Sequence, residues 1–282
     1  GRVVLHVIVV VVRAEHVRER QPVTLEGGVH RASYAGLHRR VARLAHALRA
    51  MGIGPGDRVA TLAWNGYRHF ELYYAISGIG AVCHTINPRL SAEQFTYIVN
   101  HAGDKALFFD VTFAPLIAGL REAFPEGIDY VALCEAGDLP DEVPDARAYE
   151  DLLEGHPEQI AWPDFDENDA CALCYTSGTT GDPKGVLYSH RAMVLHAFMM
   201  TNAEQQIFCE GRRILPVVPL FHANAWGLPY SAPLAGASLL MPGMTLDGPS
   251  IFALADAEQA HPHCGHTVGG VGLFGIGQRE DA

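Results

Sequence analysis

Two hydrophobic periodicities alternate along the chain from about residue 31. In "SYAGLHRRVARLAHALRAMG", Leu37, Val41, Leu44 and Leu48 fall on one helical face, with Ser33 placed to cap the start and Gly52 the end. The turn "GPGD" leads into an apolar strand, "RVATLAW", and a second helix is predicted from about Tyr67 to Ser77. "AVCHTI" reads as a strand. "SAEQFTYIVNHAG" reads as a helix that opens on Ser91 and Gln94 at capping-box spacing and closes at Gly103. Strand "KALFFD", a helix over residues 112–124 and strand "DYVALC" follow. Residues 135–168, rich in Asp, Glu and Pro, form a connector with one short helix around Tyr149–Glu154. Strand "ACALCY" comes next, then a loop, and a helix from about His190 to Gln205.

Strands that are apolar throughout and separated by helices predict an α/β fold, with mainly parallel sheets covered by helices. A length of 282 residues suits one large domain or two small ones, and 49% hydrophobic with 18% charged residues excludes disorder. A net charge of −12 argues against binding nucleic acid or an anionic membrane. The six cysteines, spread along a chain too large to need staples, read as reduced thiols in a cytoplasm. The run from Val3 to Val12 is too short to span a bilayer, and charged residues rather than a cleavage site follow it. It reads as a buried strand or a product of how the start was defined, so no transmembrane segment is expected.

The loop "YTSGTTGDPKG" is too small and polar to contribute to a core. Its glycines let backbone N–H groups turn toward one point, its hydroxyls add donors without bulk, and Lys184 adds a mobile positive charge. That set suits a polyphosphate. The plainer alternative is a strand-to-helix turn carrying a surface lysine. A Walker-type loop is excluded, since Pro183 and Gly185 flank Lys184.

"LCYTSGTTGDPKG" resembles the AMP-binding signature of the adenylate-forming superfamily, position by position from Leu173 to Lys184. "GPGDRVATLAWNGYRHFELYYAISGIGAVCHTINPRL" and "LPVVPLFHANAWGLPYSAPLAGASLLMPG" are similar to segments of medium- and long-chain fatty-acyl-CoA synthetases. The resemblance implies ATP-dependent activation of a fatty acid to an acyl-adenylate, then thioester formation with coenzyme A. It implies that Thr176, Ser177, Gly178, Thr179, Thr180, Gly181 and Lys184 hold the ATP phosphates, with Thr176 close to Mg²⁺. It carries a catalytic role onto His222, a lining role onto Ala223 beside it, and an aromatic gate on an acyl tunnel onto Trp226. Without the resemblance, Trp226 and His222 would read as a core Trp and a satisfied buried His. The apolar stretches around them suit tunnel walls and plain packing equally. Further expectations are a fatty-acid substrate, no nucleic-acid partner and, as an open option, a homodimer.

Other constellations favour structural roles. Cys171 and Cys174 lack a second pair at zinc spacing. His38, His46 and His69 read as surface or boundary histidines, and the cluster His261, His263, Cys264 and His266 is not expected to bind metal. The superfamily pattern calls for a Y-G-x-T-E stretch, a ribose-binding Asp and a C-terminal lysine domain; the sequence holds none of them. The expectation is an incomplete N-terminal domain, a partial AMP-binding domain over 21–260, after a divergent segment 1–20. Residues 261–282, with five Gly between 269 and 277, read as a frameshifted tail, because reading "HPHCGHTV" one base later permits Thr-His-Thr-Ala-Gly-Ile-Pro. Such a piece is expected not to turn over alone, leaving two alternatives: a non-catalytic nucleotide or acyl binder, or a ligase for another carboxylic acid.

Overall fold

The structure, a computed structural model, describes residues 23–24, 30–176, 182–201 and 210–260. Helix α1, Tyr34–Ala50, starts where Ser33 Oγ accepts from the Gly36 N–H at 3.1 Å. It buries Leu37, Val41, Leu44 and Leu48 as the spacing predicts. The cap residue at its end is Met51; Gly52, expected as the cap, is the left-handed residue just past it, at φ 78°. There the Gly52 N–H bonds Arg49 O and the Ile53 N–H bonds Leu48 O, so a Schellman turn closes the helix.

A doubly wound unit follows. It comprises β3 (Arg58–Leu62), α2 (Tyr67–Gly78), β4 (Val82–Thr85), α3 (Ala92–Ala102), β5 (Asp104–Phe109), α4 (Ala114–Leu120) and β6 (Asp129–Ala132). Two short strands, β1 (Val23–Thr24) and β2 (His30–Arg31), precede α1. Strand β7 (Arg147–Ala148) and α5 (Tyr149–Leu153) lie in the acidic connector, and β8 (Ala170–Thr176) ends it. The seven-stranded sheet has the order β7-β6-β5-β3-β4-β8-β9, where β9 is Lys184–Ser189. Every pairing is parallel except β8 with β9. Helices α1 and α2 cover one face, and α3 and α4 the other. Strands β10 (Arg213–Ile214) and β11 (Ser238–Met241) join β1 and β2 in a second sheet. Helix α6 (His190–Met200) follows β9, α7 (Leu228–Leu234) precedes β11, and α8 (Gly248–Ala257) closes the described chain.

Three expectations are corrected. The helix over 112–124 is α4 with a 3₁₀ turn at each end, because Pro115 has no N–H to give and fits only the first turn of an α-helix. The helix at His190 does not follow the loop directly; β9 intervenes. It pairs with the edge that β8 would otherwise leave open, a long-range cause that "KGVLYS" does not announce. His69 is not at the boundary. It is 1% exposed, with Nε2 3.1 Å from Thr61 Oγ1 and Nδ1 3.0 Å from Trp64 O, and burial pushes its pKa down to about 4. The helix expected at Tyr67 is present as α2; it is buried all round and carries ions into the interior. The fully buried Glu71 is held by Arg40 Nε at 2.6 Å and by the Tyr149 hydroxyl at 2.7 Å. Glu150 takes bonds from Arg40 and from Arg68, so each charge has partners. Burial works against the Arg40 charge, but Glu71 and Glu150 overcome it and hold its pKa above the usual value.

Candidate functional site

Strand β8 runs parallel to β4, so its last residue, Thr176, lies at the carboxyl edge of the sheet. Open α/β sheets place ligands at that edge, where chain order reverses, as it does here when the chain passes from β4 across β3 to β5. The chain then returns as β9, with Lys184 directly opposite Thr176 and the Thr176 hydroxyl 3.5 Å from the Lys184 carbonyl. The tertiary structure thus brings these two sequence-selected residues together at the neck of a hairpin. Both are exposed, and among the described residues no carboxylate pairs with the Lys184 ammonium. Ser177, Gly178, Thr179, Thr180 and Gly181 lie outside the described residues.

Gly185 has a specific reason to lack a side chain. It faces Tyr175 across the ladder, and a Cβ there would lie 3.1 Å from Leu173 Cδ1 and 3.3 Å from Tyr175 Cζ. With that space free, the Tyr175 hydroxyl meets His101 Nδ1 at 2.7 Å and its ring packs 5.1 Å from His84. Just behind, Cys171 and Cys174 are buried, and burial pushes the Cys171 thiol up to about 12. Such thiols are inert core groups, as their spacing suggested.

His222 opens the second part of the site. The five residues after it run left-handed: Ala223, Asn224, Ala225 and Trp226 at φ 45°, 52°, 45° and 57°, then Gly227 at 72°. Each non-glycine residue in that region costs roughly 1–2 kcal/mol, so the run persists only where its surroundings enforce it. Several bonds do so. The Ala225 N–H bonds His222 O at 3.0 Å, and the Ser231 hydroxyl bonds Gly227 O at 3.0 Å. His196 of α6 donates from Nε2 to Trp226 O at 2.9 Å. A Cβ on Gly227 would stand 2.6 Å from the His196 ring, so glycine is required there twice over.

His222 is exposed and Trp226 is 38% exposed, so neither is the core residue that composition alone would suggest. Ala223 between them is half-buried. Asn224, in contrast, is buried against β8, its Oδ1 3.5 Å from Cys174 Sγ. Cys174 and Thr176 are two apart on one strand and share a face. The His222 turn therefore docks on the side of β8 to which Thr176 belongs.

Sequence reasoning missed the residue that delivers the chain to this turn. Asn65, just past β3, donates from Nδ2 to Pro216 O at 2.9 Å and Val218 O at 3.0 Å, and its Oδ1 accepts from the Leu220 N–H at 2.7 Å. Its only local signal is the Asn-Gly pair, which reads as an ordinary turn.

Comparison with known proteins gives the family and the fold. Residues 12–271 match the AMP-binding enzyme family. The chain belongs to that family. A medium-chain-fatty-acid–CoA ligase of Ectopseudomonas oleovorans is 48% identical over 242 residues, which are 86% of this chain and 44% of that protein. A 3-methylmercaptopropionyl-CoA ligase of Ruegeria lacuscaerulensis is 46% identical over 83% of this chain and 44% of its own. A long-chain-fatty-acid–CoA ligase of Thermus thermophilus is 46% identical over 82% and 41%. This AMP-binding chain thus spans less than half the length of those relatives. Among solved structures, the anthranilate CoA ligase AuaEII superposes with a TM-score of 0.79 at 22% identity, over 89% of this chain and 48% of that one, a likeness of fold. The N-terminal domain of FACL13 from Mycobacterium tuberculosis gives 0.73 at 27% identity, over 90% and 61%.

Proposed function

We propose that this AMP-binding chain carries the phosphate- and acid-binding part of an ATP-dependent acid–thiol ligase, acting on medium- or long-chain fatty acids. The observation that supports it most is the shared face of β8: the Thr176–Lys184 neck and the His222 turn converge there at the ligand edge of the sheet. A carboxylate is a poor electrophile, and its attack on the α-phosphate of ATP gathers negative charge. Donors and a cation set in advance at that place lower the barrier. Lys184 supplies the cation, the Thr176 hydroxyl and the loop 177–181 the donors, and His222 and Ala223 flank the meeting point of acid and nucleotide. Trp226, half in solvent on the same turn, stands at the entrance for the alkyl chain. Coenzyme A is the acceptor of the acyl group.

Mg²⁺ fits this donor set in one way. Among the described residues no three His, Cys, Asp or Glu side chains form a cluster for a metal. The ion would be held by the Thr176 hydroxyl together with phosphate and water oxygens, and would neutralise phosphate charge. No helix among the described residues is long and apolar enough to cross a membrane. A cytoplasmic site of action is part of the proposal. A homodimer is part of the same reading.

Titration of the purified chain with ATP and Mg²⁺ tests the proposal. K184Q is expected to weaken ATP binding about tenfold, the scale of one charge-assisted hydrogen bond. Equal affinity in both proteins, or none in either, removes the reading. A second reading, a ligase for another carboxylic acid, draws on the 3-methylmercaptopropionyl-CoA ligase relatives. Pyrophosphate release across a panel of acids, measured on the chain restored to the full length of its relatives, separates the two, and release with none of the acids leaves a non-catalytic binder.

A further inference from the structure

The left-handed run from Ala223 to Trp226 contains one side chain that turns inward. Asn224 is 1% exposed. Its Oδ1 accepts from the Tyr73 hydroxyl at 3.3 Å and from Cys174 Sγ at 3.5 Å, while its Nδ2 is buried with no partner among the described residues. Tyr73 has a single proton and directs its shorter bond, 2.5 Å, to Leu220 O, so the contact with Asn224 is the second branch of one bond. These anchors come from separate places: Tyr73 from α2, Cys174 from β8, and Leu220 from the segment that enters the turn. An apolar residue of similar size would fill the same space and leave no orphaned amide nitrogen, so packing alone does not account for asparagine here. Asparagine also enters the left-handed region more readily than most residues.

We propose that Asn224 is a positioning residue: its buried amide locks the His222–Trp226 turn onto the face of β8 that carries Thr176. The lock fixes where His222 and Trp226 stand relative to the Thr176–Lys184 neck. What the turn is positioned for rests on the ligase reading above; the lock itself rests on the contacts.

The test uses the whole chain labelled with 5-fluorotryptophan. Its three tryptophans give three fluorine resonances, and W226F assigns the one on the turn. N224G keeps the left-handed freedom but loses the amide, whereas N224A loses both. In N224G the Trp226 resonance is expected to shift and broaden while those of Trp64 and Trp162 stay in place. Affinity for dodecanoyl-sulfamoyl-adenosine, a non-hydrolysable acyl-adenylate analogue, should fall about tenfold, the scale of one lost buried hydrogen bond. Y73F should act in the same direction, and because it also removes the bond to Leu220 O, the loss in Y73F/N224G should exceed that of N224G alone but fall short of the sum of the two single losses, since the Tyr73–Asn224 contact is shared. If N224G leaves the Trp226 resonance and the affinity unchanged while the analogue still binds, the lock is refuted and the ligase reading stands. If the unsubstituted chain ignores the analogue but N224G still displaces the Trp226 resonance, the ligase reading falls and the lock stands.

Discussion

Asn65 is 2% exposed and holds three main-chain groups of the segment 216–220 in place, so its side chain carries part of the geometry of the His222 turn. A leucine would fill the space after β3 but satisfy none of those groups, and an alanine would do neither. N65A is expected to cost about 3 kcal/mol, because buried polar atoms left without partners each carry a penalty near 1–3 kcal/mol. Urea denaturation measures it, and a loss below about 1 kcal/mol would show that water replaces the amide. The sequence names Asn65 only as half of a turn pair; its partners lie about 150 positions away, beyond any local pattern.

At the scale of elements, the contact of α2 with β3 through His69 predicts a pH dependence. His69 has its pKa lowered from 6.5 to about 4 by burial, so the unfolded chain binds a proton over that interval while the folded chain does not. The stability His69 contributes is therefore full above 6.5 and is lost as pH falls toward 4. Asp110, raised to about 6 by burial, opposes it, because the folded form takes up its proton first on acidification. Comparison of H69Q with the unsubstituted chain isolates the histidine: the slope of stability against pH should flatten by up to about 1.4 kcal/mol per pH unit. Parallel curves would place His69 in contact with water. The helices themselves were legible where their caps are local, as with Ser33 at α1 and the Ser91–Gln94 box at α3. Strand β9 was not, because its reason to exist is the neighbouring edge of β8.

For the whole molecule, the end of the large sheet at β9 is the weak point. Leu187 is 60% exposed on this edge strand, and Leu195, Phe198 and Met199 stand out from α6 beside it. Free strand edges with apolar neighbours pair with other chains. The purified chain is expected to self-associate with rising concentration in sedimentation velocity, and L187K with F198E to shift it toward the monomer. A chain that stays monomeric at every concentration would show that the face is harmless in water. At this scale the parallel, helix-covered architecture was read correctly from apolar strands alternating with helices, since strands buried on both faces are apolar at most positions.

The sequence by itself determined what depends on neighbours along the chain: the alternation of most helices and strands, the caps, a loop dense in hydroxyls and glycine, and through its motifs the family. Only the tertiary structure decided which face of β8 meets the His222 turn, why α2 has no outer side, and how Asn65, Tyr73 and Cys174 converge from distant segments. The physical reason is range. Caps and periodicity act over a few residues, whereas a strained turn holds its shape only through groups that folding brings to it.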